Sequence, residues 1–542
     1  MNAPDTANLQ IAKSYDDRPY TSKAFFYSSP GHLRATAHLY GVSTVPLKHA
    51  RVLELGCAAG GNLLPFALAY PEATVVGIDL SPVQIAAGQK IVHDLKVRNL
   101  TLHAMSLTDI TPDFGEFDYI IAHGVFSWVP PEVRQSMLRV CRENLSPEGI
   151  AYISYNTYPG WKAGEILRDA MMLHSHGAET ADEKLARAKA MLTLMSDGLA
   201  AGNPLTPSLH GAAEKLKTQS DYYVAHEYLE TFNTPCYFVE FVDAVRQAGM
   251  AYVGDADSQS EISSTYGNNV QLNHSLVAMG QPKELRQQYL DFAVGRNFRK
   301  SLLVHEERQQ SIAIAPVLER LDDVRFASYF TQVATKANAA EGIRTYADNK
   351  GRELNTREQT VVAAMEALTK SWPASLSMTE IVAKTAGTSG IGDSDQHAAG
   401  MRKAVATLFK LGRLYIGLNA EPRESKAPMQ LLPGFAYVVE QTYAHSAPIG
   451  QFNAWHDSIS ILLKDAEVYA VSQMSGRLRN TGLRKRLRDA LHEGAVPNTD
   501  GKFLTGQRNL DATAQRILNR LYEVLMQQGV LSALVSAQAE ME

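Results

Sequence analysis

RVLELGCAAGGN, residues 51–62, is the stretch that decides the fold. RVLEL is a short apolar run that reads as a buried β-strand, and NLLPFALAY (62–70) reads as the helix that follows it. Between them lies a loop containing Gly56, Gly60 and Gly61. Glycines there open a tight turn and let backbone approach a ligand closely. The following helix start offers unpaired N–H donors. A pyrophosphate site would prefer Gly-x-Gly-x-x-Gly, which is absent. The loop instead begins with an acid, Glu54, two residues before Gly56. A carboxylate at that place suits an ammonium, not a phosphate.

Working outward, the rhythm is strand then helix, repeated. TVVGI (74–78) is a second strand, and Ser81 caps a helix that starts at Pro82. LTLHAM (100–105) and FDYIIAH (117–123) are strands three and four, PEVRQSMLRVCRENL (131–145) is a helix, and Gly149–Tyr155 is strand five. Continuous apolar strands alternating with helices imply a parallel, doubly wound, Rossmann-like α/β sheet covered on both faces. The last two of seven strands are expected near 250 and at RKSLLVH (299–305), after a helical insertion spanning about 162–225.

Four strand ends carry candidate ligand-binding residues, because open α/β sheets bind ligands outside the carboxyl ends of their strands. The first loop supplies Glu54, Gly56, Cys57, Ala58, Gly60 and Asn62. Asp79, with Leu80 after it, ends strand two, where an acid accepts hydrogen bonds from both ribose hydroxyls. Ser106 and Leu107 follow strand three, where an adenine would lie, and His123 and Gly124 end strand four. An ammonium, a ribose and an adenine together describe S-adenosyl-L-methionine.

VLELGCAAGGN resembles the first motif of the class I S-adenosylmethionine-dependent methyltransferases, with Ala58 where many members carry Gly. HGVFSWVP (123–130), SYNTYPGW (154–161) and YYVAHEYLETFNTPCYFVEFVDAVRQAGMAYVGDAD (222–257) resemble bacterial members that carry a regulatory domain, of which the rickettsial protein lysine methyltransferases acting on outer membrane protein are the best known. The resemblance spans about 15–305 and extends loosely to the C-terminus. It implies lysine N-methylation of a protein. The residues themselves leave open a small-molecule N- or O-methyltransferase and a non-catalytic sensor of the cofactor.

In-line methyl transfer needs alignment and a neutral nucleophile more than a strong base. The candidate acceptor-side residues are Tyr155, Asn156, Tyr158 and Trp161 after strand five, with His123 and Trp128 after strand four. Aromatic faces can hold a cationic amine, and the Asn156 amide oxygen can orient it. For Trp128 and Trp161 a plain packing role weighs equally; His123 reads as lining the cofactor more than as a base. Tyr20 and the aromatic stretch beside it are candidates to cap the cofactor.

The 542 residues are 45% hydrophobic and 20% charged with a net charge of −5, so every domain can bury a core and nothing favours nucleic acid as partner. Cys57, Cys141 and Cys236 are too few for a disulfide framework and lack zinc-site spacing. With no apolar leader and no membrane-length apolar run, the expectation is a cytoplasmic protein. His174 and His176 diverge on a helix, so no metal site is expected. Arg477, Arg479, Arg484, Lys485, Arg486 and Arg488 form one basic cluster, but Leu478, Leu483 and Leu487 interleave as on an amphipathic helix. The expected layout is an N-terminal cap (1–50), a methyltransferase domain (51–305) with a regulatory segment (about 215–300), and two mainly helical, winged-helix-like domains (306–440 and 441–542) for substrate recognition or homodimer formation. Helices are expected near 357–371, 378–386 and 398–411, with Arg413–Asn419 as a wing.

Overall fold

A computed structural model of the chain describes residues 21–333, 342–387, 394–419, 430–444, 447–474, 480–507 and 510–532. Tyr20, Arg477, Leu478 and Arg479 lie outside them.

Seven strands form one sheet: β1 (Arg51–Leu55), β2 (Thr74–Asp79), β3 (Leu100–Ala104), β4 (Phe117–Ala122), β5 (Leu145–Asn156), β6 (Met250–Asp255) and β7 (Phe298–His305). Their order is β3-β2-β1-β4-β5-β7-β6. β1, β2 and β3 pair in parallel, with Glu54 opposite Gly77. β7 runs antiparallel to both β5 and β6, which corrects the expectation of a wholly parallel sheet. The sheet is therefore mixed. Strand five is also longer than expected, starting at Leu145 before the Pro147-Glu148-Gly149 sequence.

The chain packs as two compact units. One comprises 19–105, 117–119 and 315–542; the other comprises 106–116 and 120–314. In the first unit, Ser81 accepts the Gln84 N–H and Pro82 opens the helix Pro82–Asp94, as its sequence directs. The Arg51 N–H and guanidinium both donate to the Asp118 carboxylate (2.8 and 2.9 Å), tying the start of β1 to residue 118. Beyond 315, short strands accompany the helices: β8 (Arg325–Ala327) pairs with β12 (Leu376–Ser377) and β13 (Tyr415–Gly417), and β9 (Phe330–Val333), β10 (Arg344–Asp348) and β11 (Glu353–Thr356) form a second small sheet. The three expected helices are Gln359–Ser371, Met378–Thr385 and Ser394–Lys410. The 413–419 stretch does form a strand, β13, antiparallel to β8.

In the second unit, the helices Trp161–His174, Ala181–Asp197, Thr206–Lys217 and Asp221–Tyr228 share a core of their own, built on Leu167, Met171, Leu192, Leu209, Leu216 and Val224. That is the expected insertion. Nearer the sheet edge, fully buried Arg299 donates twice to Asp291 (2.8 Å each) and lies 3.5 Å from Glu261, with its guanidinium over the Phe238 ring. Burying a cation is tolerable only with such pairing.

Candidate active site

In the first unit, the chain leaves β1 at Leu55 and turns sharply. Gly56 (φ 77°) and Cys57 donate their N–H groups to Ile78 O (2.9 Å each). Ala58 holds φ 49°, in the left-handed region that favours glycine, so the family's glycine here has a conformational reason. Its N–H donates to Asp79 Oδ2 (2.8 Å), while Ser81 N–H donates to Asp79 Oδ1 (2.9 Å). Asp79 thus joins the two loops that follow β1 and β2. Gly61 has no room for a side chain: a Cβ would stand 2.3 Å from Ser22 O, and its N–H donates to Ser22 Oγ (2.8 Å). The Cys57 side chain is buried, which pushes its thiol pKa well up, so Cys57 serves through its backbone.

Glu54 is 3% exposed. Its Oε1 accepts from Asn62 Nδ2 (2.7 Å), and its Oε2 is buried with no hydrogen-bond partner. Burial pushes its carboxyl up to about 8, with the Asn62 bond opposing and nearby Asp79 adding to the rise. A buried carboxylate oxygen with an open valence, beside a glycine loop, fits an ammonium ligand. Asn62 is itself fully used: Oδ1 receives Phe25 N–H (2.9 Å) and His456 Nε2 (2.9 Å), and Nδ2 donates to Glu54 and to Ser28 Oγ (3.1 Å). Neither His456 nor Ser22 was singled out from the sequence. His456 lies 394 positions from Asn62, and no periodicity or motif links the two.

In the second unit, Ser106 caps the turn Leu107–Asp109 by accepting Thr108 N–H (3.3 Å). His123 Nδ1 lies 2.9 Å from the Tyr152 hydroxyl and 3.2 Å from the Ser154 hydroxyl. Burial, with Lys300 assisting, pushes its pKa down to about 3, so the ring is neutral at physiological pH. Gly124 (φ 66°) donates its N–H to Ser154 Oγ (2.8 Å), and a Cβ there would meet nothing within 4 Å, leaving its backbone open to a ligand.

The acceptor-side residues divide. Tyr155 is a core residue: it stacks on Phe241 (4.0 Å between centroids) and its hydroxyl pairs with Ser301 (3.0 Å), which corrects its reading as an amine-binding aromatic. Trp161 is 7% exposed and packs on Tyr228, so its packing role prevails. Asn156 donates its backbone N–H to Ser127 Oγ (2.9 Å) and its Nδ2 to Asn233 Oδ1 (3.1 Å). Tyr158 donates to Glu165 (2.6 Å) and carries the Lys162 ammonium 3.6 Å from its ring centroid, so its face does hold a cationic amine, one from this chain. Trp128 is half-buried. No cluster of metal-ligating side chains occurs among the described residues.

Residues 52–149 match the family described as methyltransferase domain, and 220–305 match that described as predicted methyltransferase regulatory domain. Protein RP789 of Rickettsia prowazekii is 35% identical over 390 residues, covering 70% of this chain and 69% of that one. The chain belongs to the S-adenosylmethionine-dependent methyltransferases that carry a regulatory domain. A second R. prowazekii protein, RP028, is 41% identical over 235 residues, covering 43% of this methyltransferase and 94% of that chain. Among solved structures, PKMT2 from Rickettsia typhi in complex with AdoHcy superposes with a TM-score of 0.80 at 25% identity, covering 95% of this chain and 100% of that one. That likeness runs well beyond the two family segments.

Proposed function

We propose that this methyltransferase methylates lysine side chains of a protein substrate. The observation that carries the proposal is the whole-length likeness to PKMT2, which takes in the C-terminal half as well as the sheet. A small acceptor needs no such added surface. The resemblance of residues 123–130, 154–161 and 222–257 to rickettsial protein lysine methyltransferases supports the same reading.

In this reading Glu54 Oε2 would receive the α-ammonium of the cofactor. Asp79, at the end of β2, would accept the ribose hydroxyls. By their sequence positions after strands two to four, Leu80, Ser106, Leu107 and Gly124 are the candidates for the adenine side of the cofactor. When bound, the cofactor supplies an electrophilic methyl group on a sulfonium. The acceptor ammonium must first lose its proton, which burial beside a positive charge favours. Neutral His123 is too weakly basic to act as the proton acceptor. Asn156 orients the amine.

The segments 306–440 and 441–542 serve substrate recognition or pairing of two copies in this account. No described helix is long and apolar enough to cross a membrane, and the three cysteines are free. The test is incubation with methyl-labelled S-adenosylmethionine and host cell extract, followed by gel separation. A discrete labelled protein band, absent with Asp79→Ala, is expected. Label confined to small molecules would overturn the protein-substrate reading.

A further inference from the structure

The C-terminal half reaches the cofactor loop by two routes within one compact unit. The segment 448–450 grips the N-terminal strand: Ser22 N–H donates to Pro448 O (2.9 Å), and Gly450 N–H donates to Ser22 O (2.7 Å). Ser22 in turn holds Gly61 through its hydroxyl. Six residues further on, His456 Nε2 meets Asn62 Oδ1 at 2.9 Å. The Asn62 oxygen can only accept, so Nε2 carries the hydrogen.

That contact has a consequence for Glu54. An amide side chain can flip, exchanging oxygen for nitrogen. Phe25 N–H, a backbone donor, marks one end of Asn62 as the oxygen, and His456 Nε2–H is a second donor that holds that same end. The other end is then the NH2 group, which donates to Glu54 Oε1. With Oε1 engaged, the free valence of the carboxylate is at Oε2. His456 is held for this contact in a left-handed backbone conformation (φ 58°), which a non-glycine residue adopts only where its surroundings impose it. Trp455 beside it is fixed by its indole N–H on Pro373 O (2.8 Å) and by stacking on Tyr415 (5.5 Å).

We propose that His456 is a positioning residue of the cofactor site: through Asn62 it orients the Glu54 carboxylate toward the α-ammonium of the cofactor, so the site is incomplete without the C-terminal half. The proposal rests on Glu54 as the ammonium's partner.

The test is calorimetric binding of S-adenosylhomocysteine, and of its analogue lacking the α-amino group, to the full chain. His456→Asn suits the left-handed backbone, but its shorter amide stops short of Asn62. His456→Gln places an N–H donor near the position of Nε2. With both variants folded by circular dichroism, His456→Asn is expected to bind S-adenosylhomocysteine about tenfold more weakly, to bind the deaminated analogue as the wild type does, and to be rescued by Gln. Equal weakening of both ligands would reduce His456 to a structural role and overturn the proposal. So would wild-type binding by His456→Asn. If His456→Asn fails to fold, His456→Gly, which also suits the left-handed backbone and has no donor side chain, decides by the same ratio of the two ligands. Wild-type protein that binds both ligands equally would instead refute the Glu54 assignment itself.

Discussion

Asn62 and His456, 394 residues apart in sequence, share a 2.9 Å hydrogen bond in which the imidazole of the C-terminal half grips the cofactor loop of the N-terminal sheet. Asn62 spends its other bonds on Phe25, Ser28 and Glu54. One amide therefore ties together three distant parts of the chain, and the cofactor loop is a product of all of them.

The protonation of Glu54 makes cofactor binding pH-dependent. Its folded pKa is raised to about 8, chiefly by burial, so the free protein holds the carboxyl protonated at neutral pH. An ammonium ligand favours the carboxylate. Binding of S-adenosylhomocysteine is then expected to strengthen as pH rises toward 8 and to release a proton at pH 7. Calorimetry in buffers of different ionisation enthalpy checks this, and Glu54→Gln should abolish the release. The sign for folding is opposite: because the folded carboxyl keeps its proton where the unfolded one has lost it, its contribution to stability is full at acid pH and lost as pH rises from about 4.5 toward 8.

Ala58 sits at φ 49° with its N–H on Asp79. Ala58→Gly should relieve the left-handed conformation while keeping that bond. Relief is partly offset by the greater freedom of glycine in the unfolded chain, leaving a gain of up to ~1 kcal/mol. A small rise in Tm with unchanged affinity for S-adenosylhomocysteine is the expected result of thermal melting and titration.

Gly61→Ala should act in the other direction. Its Cβ would meet Ser22 O at 2.3 Å, a backbone atom with no easy escape. Displacing Ser22 also breaks its bridge to Ile449. A cost of about 1–3 kcal/mol is expected, together with faster proteolysis near Ser22 and weaker cofactor binding. Limited proteolysis followed by mass spectrometry reads the first effect.

The regulatory segment depends on Arg299. Asp291→Ala would leave that buried guanidinium with Glu261 at 3.5 Å as its paired carboxylate, beside the Tyr252 hydroxyl and Gln287 O. Removing one partner of a buried pair costs ~3–5 kcal/mol, so a marked drop in Tm, or loss of soluble protein, is expected. Asp291→Asn, which retains an acceptor oxygen, should fall between.

The strands β1 to β5 were legible because continuous apolar runs and the Glu54–Asn62 loop mark them locally. Ser81 and Pro82 announce their helix by capping chemistry alone. The reversed direction of β7 was not legible, since an apolar run such as Ser301–Val304 is the same whichever way its neighbours run. The short strands β8 to β11 were passed over because three to five residues carry too little alternation to register. Glu54, Asn62 and Asp79 stand out as candidates by their spacing, whereas the covering of Tyr155 by Phe241 and Ser301 leaves no local mark in the sequence. His456 offered no signal, because its role exists only once the chain has closed on itself.

The most direct test of the central claim is peptide mass spectrometry of proteins from a host extract incubated with this enzyme and methyl-labelled S-adenosylmethionine. The account predicts label on lysine side-chain nitrogens of a discrete protein, lost with Asp79→Ala. Label only in metabolites, or on an acceptor other than lysine, would contradict it.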